Sequence, residues 1–231
     1  MLSCRSVGKI YQTDRGPIEA VRGVDFDVSA GRYAAVIGRS GSGKSTLMAM
    51  IGGLSRPTAG SVFVDGEDIW SKSDNDMARF RNQKIGYIFQ FSSLLPTLRV
   101  IENVSLPAHL YGEGKTSDLF ERAAQLLIDT GLGSHFDAYP LEISAGEQRR
   151  AVIARALVNN PVLLLADEPT SDLDEQTERE IMKLLARVNR EHKTTVVLVT
   201  HNLALASEAE QIVQIANGML APATTVVEAR I

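Results

Sequence analysis

The segment Gly38-Arg39-Ser40-Gly41-Ser42-Gly43-Lys44-Ser45-Thr46 constrains this chain more than any other. It fits G-x-x-x-x-G-K-[ST] in full, a pattern in which glycines let the backbone curl so that successive N–H groups face phosphate oxygens. Val36-Ile37 before it reads as the end of a strand, and Leu47 to Leu54 after it as a helix. The chemistry needs that order, because a helix N-terminus adds partial positive charge where the phosphates lie. Lys44 is then placed for the β- and γ-phosphates, and Ser45 offers its hydroxyl to Mg²⁺. Alone, the motif says nucleoside triphosphate. It does not separate GTPases, kinases and motors.

A second feature narrows the choice. Val162-Leu163-Leu164-Leu165-Ala166 is apolar on both faces, which marks an inner strand of a parallel sheet, and it runs into Asp167-Glu168. Such a strand delivers its acids at the C-terminal edge, beside a phosphate loop. Asp167 suits Mg²⁺, directly or through water. Glu168, one residue on, suits polarisation of an attacking water.

Elsewhere the pattern changes twice along the chain. Val62-Phe63-Val64 before Asp65-Gly66 reads as a strand entering a turn. From about Phe91 to Asn160 the chain reads as helical, with Leu119, Phe120, Ala123, Leu126, Leu127 and Thr130 at amphipathic spacing and Gly131 as a stop. Strand–helix alternation then returns. Ile181, Leu184, Leu185 and Val188 mark a helix, Thr195–Thr200 a buried strand, and Ile212–Ile215 with Asn217-Gly218 and Met219-Leu220 a closing hairpin. The order predicts an α/β nucleotide-binding core interrupted by a helical lobe.

With 231 residues the chain has room for one large domain with an inserted lobe. A net charge of -4 argues against a nucleic-acid partner, which calls for a basic face. The single cysteine, Cys4, excludes an internal disulfide and reads as a small packed residue. No apolar run reaches membrane-span length and the N-terminus lacks a signal-peptide core, so the chain is expected to stay in the cytoplasm and to meet a membrane only through a partner.

Ile143-Ser144-Ala145-Gly146-Glu147-Gln148-Arg149-Arg150 resembles the signature of the ATP-binding-cassette family, Leu-Ser-Gly-Gly-Gln ahead of a Gln- and Arg-bearing helix. In that family the signature is a second phosphate cradle, offered to the γ-phosphate held by the opposite subunit. Other family elements come in family order. Tyr11 stands where an aromatic ring stacks on adenine. Gln90, after Gly86-Tyr87-Ile88-Phe89, stands where a glutamine reaches Mg²⁺ and the water. Ser171-Asp172-Leu173-Asp174 matches a loop that crosses the dimer interface, and His201 the switch histidine at the γ-phosphate. His109, His135 and His192 match nothing and read as surface or packing residues.

The resemblance implies an α/β fold: a P-loop NTPase core with a mostly parallel sheet, an N-terminal antiparallel β subdomain and an inserted α-helical lobe. It implies one domain over 1–231, with 1–90 and 161–231 as core and 91–160 as lobe. It implies an ATPase using ATP and Mg²⁺. The site would comprise Lys44, Gln90, Glu168 and His201 for catalysis, Ser45, Gln90 and Asp167 for metal, and Tyr11, Gly38 to Thr46 and Ser144 to Glu147 for nucleotide. Its partners would be a second ATPase subunit and an integral membrane permease, reached peripherally from the cytoplasmic face of the inner or plasma membrane. Ile51-Gly52-Gly53-Leu54, Pro57-Thr58-Ala59-Gly60 and Leu94-Leu95-Pro96-Thr97-Leu98 look like the lipoprotein-release, macrolide-export and cell-division branch. That leaves open whether cargo moves or the ATPase regulates an extracytoplasmic partner without moving cargo.

Two positions carry local expectations. Ala145 replaces a signature glycine; a positive φ there would cost alanine about 1 kcal/mol. Phe91, Leu94, Leu95 and Leu98 put apolar groups after Gln90, where a groove would suit a permease helix.

Overall fold

Apolar residues alternate between two faces in the strands that carry the site. In β3 (Tyr33–Ile37), Tyr33 and Ala35 enter one core cluster, and Ala34 and Val36 the other. β7 (Leu163–Asp167) and β8 (Thr195–Thr200) divide the same way: Leu164, Ala166, Val196 and Leu198 to one side, Leu163, Leu165, Val197 and Val199 to the other. A sheet so covered on both faces reads as continuous hydrophobic strands, and parallel pairing is the result. A computed structural model places these strands, with β6 (Ile85–Ile88), β9 (Gln211–Ala216) and β10 (Met219–Leu220), in a six-stranded sheet of order β10-β9-β3-β8-β7-β6. All neighbours are parallel except the closing β9–β10 hairpin. That hairpin turns at Asn217 and Gly218, both with positive φ, as the Asn-Gly pair predicts.

A second sheet of four antiparallel strands, order β2-β1-β4-β5, comprises β1 (Leu2–Thr13), β2 (Gly16–Val28), β4 (Ala59–Val64) and β5 (Glu67–Asp68). Between the sheets lies α1 (Lys44–Ile51), whose Leu47, Met48, Met50 and Ile51 are fully buried in the core shared with β1, β2 and β4. The opposite face of the parallel sheet is covered by α6 (Glu175–His192) and by the lobe. The lobe comprises α3 (Val100–Tyr111), α4 (Thr116–Asp129) and α5 (Ala145–Leu157). α2 (Asp74–Lys84) precedes β6, and the short α7 (Leu203–Ala206) comes after β8.

The structure describes residues 1–111 and 115–221; positions 112–114 of the expected lobe and 222–231 of the expected core lie outside them. The α/β architecture, the antiparallel N-terminal sheet and the helical lobe agree with expectation. Two boundaries move. The helix after the phosphate loop begins at Lys44 and ends at Ile51, where Gly52 and Gly53 cap it, and the acid-bearing strand runs one residue further, to Asp167.

Candidate functional site

Four adjacent parallel strands, β3, β8, β7 and β6, end at one edge of the sheet. The segments leaving these strands build the site. β3 opens into the phosphate loop, β8 into His201, β7 into Glu168, and β6 into Gln90 two residues on. One cavity of about 630 Å³ is lined by Arg39 to Gly41, Gly43 to Thr46, Gln90, Glu168, Ser171 and His201, with Ala20 from β2. Ligand sites in open α/β sheets lie at this edge.

The loop's backbone is one that glycine alone takes cheaply. Gly41 and Gly43 have φ of 75° and 104°. A Cβ on Gly43 would sit 2.4 Å from the Ala20 carbonyl oxygen, and one on Gly38 would sit 2.4 Å from the Ile215 carbonyl oxygen. The closing hairpin therefore presses on the loop, and it also bonds to it, since the Gly218 N–H donates to the Ser42 carbonyl at 3.0 Å. Gly43 caps α1 with no side-chain hydrogen bond.

Lys44 is 6% exposed, and its ammonium donates to the Gly38 and Arg39 carbonyls at 2.8 and 3.0 Å. It also lies 3.9 Å from Glu168 Oε1. The other Glu168 oxygen is 2.8 Å from His201 Nδ1. Glu168 has φ 47°, a left-handed backbone that costs a non-glycine residue about 1–3 kcal/mol and clusters at functional sites. Its N–H is fixed to the Val199 carbonyl at 2.9 Å. The general-base candidate is thus held from three sides.

Ser45 Oγ donates to Asp167 Oδ1 at 3.3 Å. Burial pushes the Asp167 carboxyl above its usual range and Glu168 adds to this, while the Ser45 hydrogen bond and Lys44 oppose it. A hydroxyl and a carboxylate side by side are hard oxygen donors, and a buried carboxylate raised by desolvation gains from a cation. These residues fit Mg²⁺, which takes one or two protein oxygens and completes its shell with water and phosphate. Among the described residues no cluster of three or more His, Cys, Asp or Glu offers an all-protein metal cage.

The signature lies elsewhere, at the start of α5. Ser144 is the N-cap, with φ -64°, and its Oγ accepts from the Glu147 N–H at 3.3 Å. Glu147 Oε2 accepts from the Ser144 N–H and from Ser144 Oγ, each at 2.8 Å, which holds the Glu147 carboxyl below its usual range. Ala145 is the first residue of the helix and does not have positive φ. The expected strain at Ala145 is therefore corrected: its backbone does not call for glycine. Steric demand falls one position on, where a Cβ at Gly146 would meet Thr177 Cγ2 at 2.6 Å. The structure does not bring Ser144 to Glu147 into the cavity of their own chain. Nor does Tyr11 line it; Tyr11 stands on β1, 39% exposed, with Lys9 Nζ 5.1 Å from its ring.

The family model described as ABC transporter matches residues 21–171. The chain belongs to the ABC transporter family. It is 41% identical over 221 residues to the lipoprotein-releasing system ATP-binding protein LolD of Blochmanniella floridana, covering 95% of this chain and 93% of that one. It is 42% identical over 224 residues to the macrolide export ATP-binding/permease protein MacB of Syntrophobacter fumaroxidans, of which it spans 31% of the length. A solved dimeric ATP-binding cassette in a post-hydrolysis state, bound to ADP and Pi, superposes with a TM-score of 0.89 at 36% identity, over 96% of this chain and 97% of that chain. This chain is an ATP-hydrolysing ABC transporter subunit.

Three residues of this ABC subunit's site region escaped the sequence. Ala20 lines the cavity but carries no chemical handle to betray it. Arg149 and His135 were legible only as a signature neighbour and a surface residue. His135 Nε2 is 3.6 Å from Glu147 Oε1, and Arg149 is buried and bonds to the carbonyls of Phe89 and Gln90.

Proposed function

We propose that two copies of this chain close around two ATP molecules, each bound by one copy's phosphate loop and the other's signature, and that hydrolysis drives a membrane permease. The observation that carries the chemistry is the convergence of the phosphate loop, Glu168, His201 and Gln90 at one edge of four parallel strands. In this reading the loop N–H groups and Lys44 hold the β- and γ-phosphates, and Ser40 to Thr46 shape the cradle. Ser45, Asp167 and Gln90 would hold Mg²⁺, which would supply charge neutralisation on the phosphates. Glu168 accepts a proton from the water whose oxygen attacks the γ-phosphorus. The bond from that phosphorus to the β–γ bridging oxygen breaks, and ADP and phosphate leave. His201 and Lys44 keep the Glu168 carboxylate aimed at the cavity. Tyr11, exposed beside Lys9, is assigned to adenine.

The permease reading rests on the relatives named for lipoprotein release and for macrolide export as ATP-binding/permease proteins. Among the described residues no helix is long and apolar enough to cross a membrane. The receiving surface is a groove of about 530 Å³ between α2, β6, α3 and α5, lined by Tyr87, Phe89, Leu106, Pro107, Leu110 and Tyr111 among others. None of the four residues expected to form it lines this groove: Leu94 is core, Leu98 is half-buried, and Phe91 and Leu95 are exposed, 66% and 44%, on the segment beside it. Phe91 extends a ring stack that runs through Phe89 to Tyr87.

Lys44→Ala tests the nucleotide reading. It removes the charge facing the phosphates, and ATP affinity measured by fluorescence titration is expected to fall at least tenfold. Unchanged affinity would reject it.

A further inference from the structure

We propose that Arg149 and Arg155 of α5 form a clasp that makes the segment after Gln90 move as one body with the signature, so that Arg149 acts as a positioning residue for Gln90. The inference rests on the roles assigned above to Gln90 and to the signature.

Arg149 is 4% exposed. Its Nη1 donates to the Phe89 carbonyl and its Nη2 to the Gln90 carbonyl, both at 2.7 Å. Arg155 uses its own fork on one residue: Nη1 donates to the Ser93 carbonyl at 2.7 Å, and Nη2 to Ser93 Oγ at 2.5 Å. Ser93 has φ 49°, a conformation a serine seldom takes unless its surroundings impose it. Both guanidiniums are hard to bury, and desolvation lowers their hold on the proton, with Asp172 opposing it at Arg149. Arginine stays charged in proteins, so the hydrogen bonds must offset that cost. A neutral or apolar side chain would fill the space more cheaply. What the forks supply is a rigid, directional link.

The link joins two things that serve different nucleotides in the proposed dimer. Ser144 caps the same helix and faces the partner's ATP, while Gln90 lines the cavity of its own chain. A displacement of α5 when the partner's γ-phosphate docks on Ser144 would pull the carbonyls of Phe89, Gln90 and Ser93 with it. Gln90 would then enter or leave its own site according to the state of the other, as a short rigid-body movement of the lobe.

A double-mutant cycle separates this from a merely structural role. Arg149→Met is expected to leave ATP affinity within about twofold, because Arg149 touches no part of the phosphate loop, and to lower kcat about tenfold or more. Arg149→Lys keeps the charge but replaces the planar fork with a shorter side chain ending in a compact ammonium that fixes no direction, and should not restore full turnover. Gln90→Ala should itself lower kcat, and Arg149→Met added to it should change kcat by less than about threefold. Losses that multiply, full rescue by lysine, or wild-type kcat in Arg149→Met would overturn the clasp. If Gln90→Ala alone turns over normally, the assignment of Gln90 fails, and the inference fails with it. Should the Arg149 variants not fold, hydrogen exchange on the wild-type chain decides. With a non-hydrolysable ATP analogue, amides 89–94 and the first two turns of α5 gain protection together if the clasp acts, and protection confined to 89–94 would overturn it.

Discussion

The two helix starts assigned to phosphate, α1 and α5, are built on opposite principles. α1 begins at Gly43, with φ 104° and no side-chain cap, its backbone pressed between Ala20 and the closing hairpin. Its geometry is imposed by tertiary packing, and its first N–H groups are left for a ligand. α5 begins at Ser144 with an ordinary φ and a complete capping box, Ser144 and Glu147 satisfying one another. Its geometry is local, and Ser144 Oγ already spends its proton on Glu147. The first cradle is preformed and belongs to one chain. The second is exposed and locally capped, and in the proposed dimer it would exchange an internal hydrogen bond for a phosphate. Asymmetry of this kind suits a site that is complete only when two copies meet.

The largest effect should come from attacking the preformed cradle. Gly43→Ala places a methyl 2.4 Å from the Ala20 carbonyl at a φ closed to alanine. ATP affinity should fall by about 100-fold or more, with a lower melting temperature. Retained affinity would mean the loop is less imposed than described.

Gly146→Ala attacks the second cradle. Its methyl meets Thr177 Cγ2 at 2.6 Å and forces α5 away from α6. ATP-dependent dimerisation, tracked by light scattering, should weaken about tenfold while ATP affinity of the monomer stays within twofold. Loss of monomer affinity would erase the distinction between the cradles.

Ala145→Gly is the smallest. At the first helical position glycine adds only backbone entropy, about 0.5–1 kcal/mol or less, and dimerisation should be unchanged or slightly weaker. Tighter dimerisation would show that alanine does constrain the signature.

Legibility in the sequence tracked the range of the forces involved. The phosphate loop is readable because binding phosphate demands one contiguous motif, and the Asp167-Glu168 strand and the Asn217-Gly218 turn because their residue types show in a few neighbouring positions. The first ten positions of β1 were not, since register shifts between Cys4 and Ile10 break the alternation that would mark a strand. The pressure of Ile215, Gly218 and Ala20 on the phosphate loop comes from residues far apart in sequence, and so do the forks of Arg149 and Arg155. Ala145 is the instructive miss. Ser144-x-x-Glu147 is itself a capping-box pattern, and it places Ala145 inside the helix, where no positive φ is needed.

Glu168→Gln tests the central claim most directly. The amide keeps the shape of the carboxylate held by Lys44 and His201 but cannot accept the proton from water. ATP binding should persist, turnover should fall at least 100-fold, and an ATP-bound dimer should accumulate on gel filtration. Near wild-type turnover, or a chain that stays monomeric with ATP bound, would contradict the account.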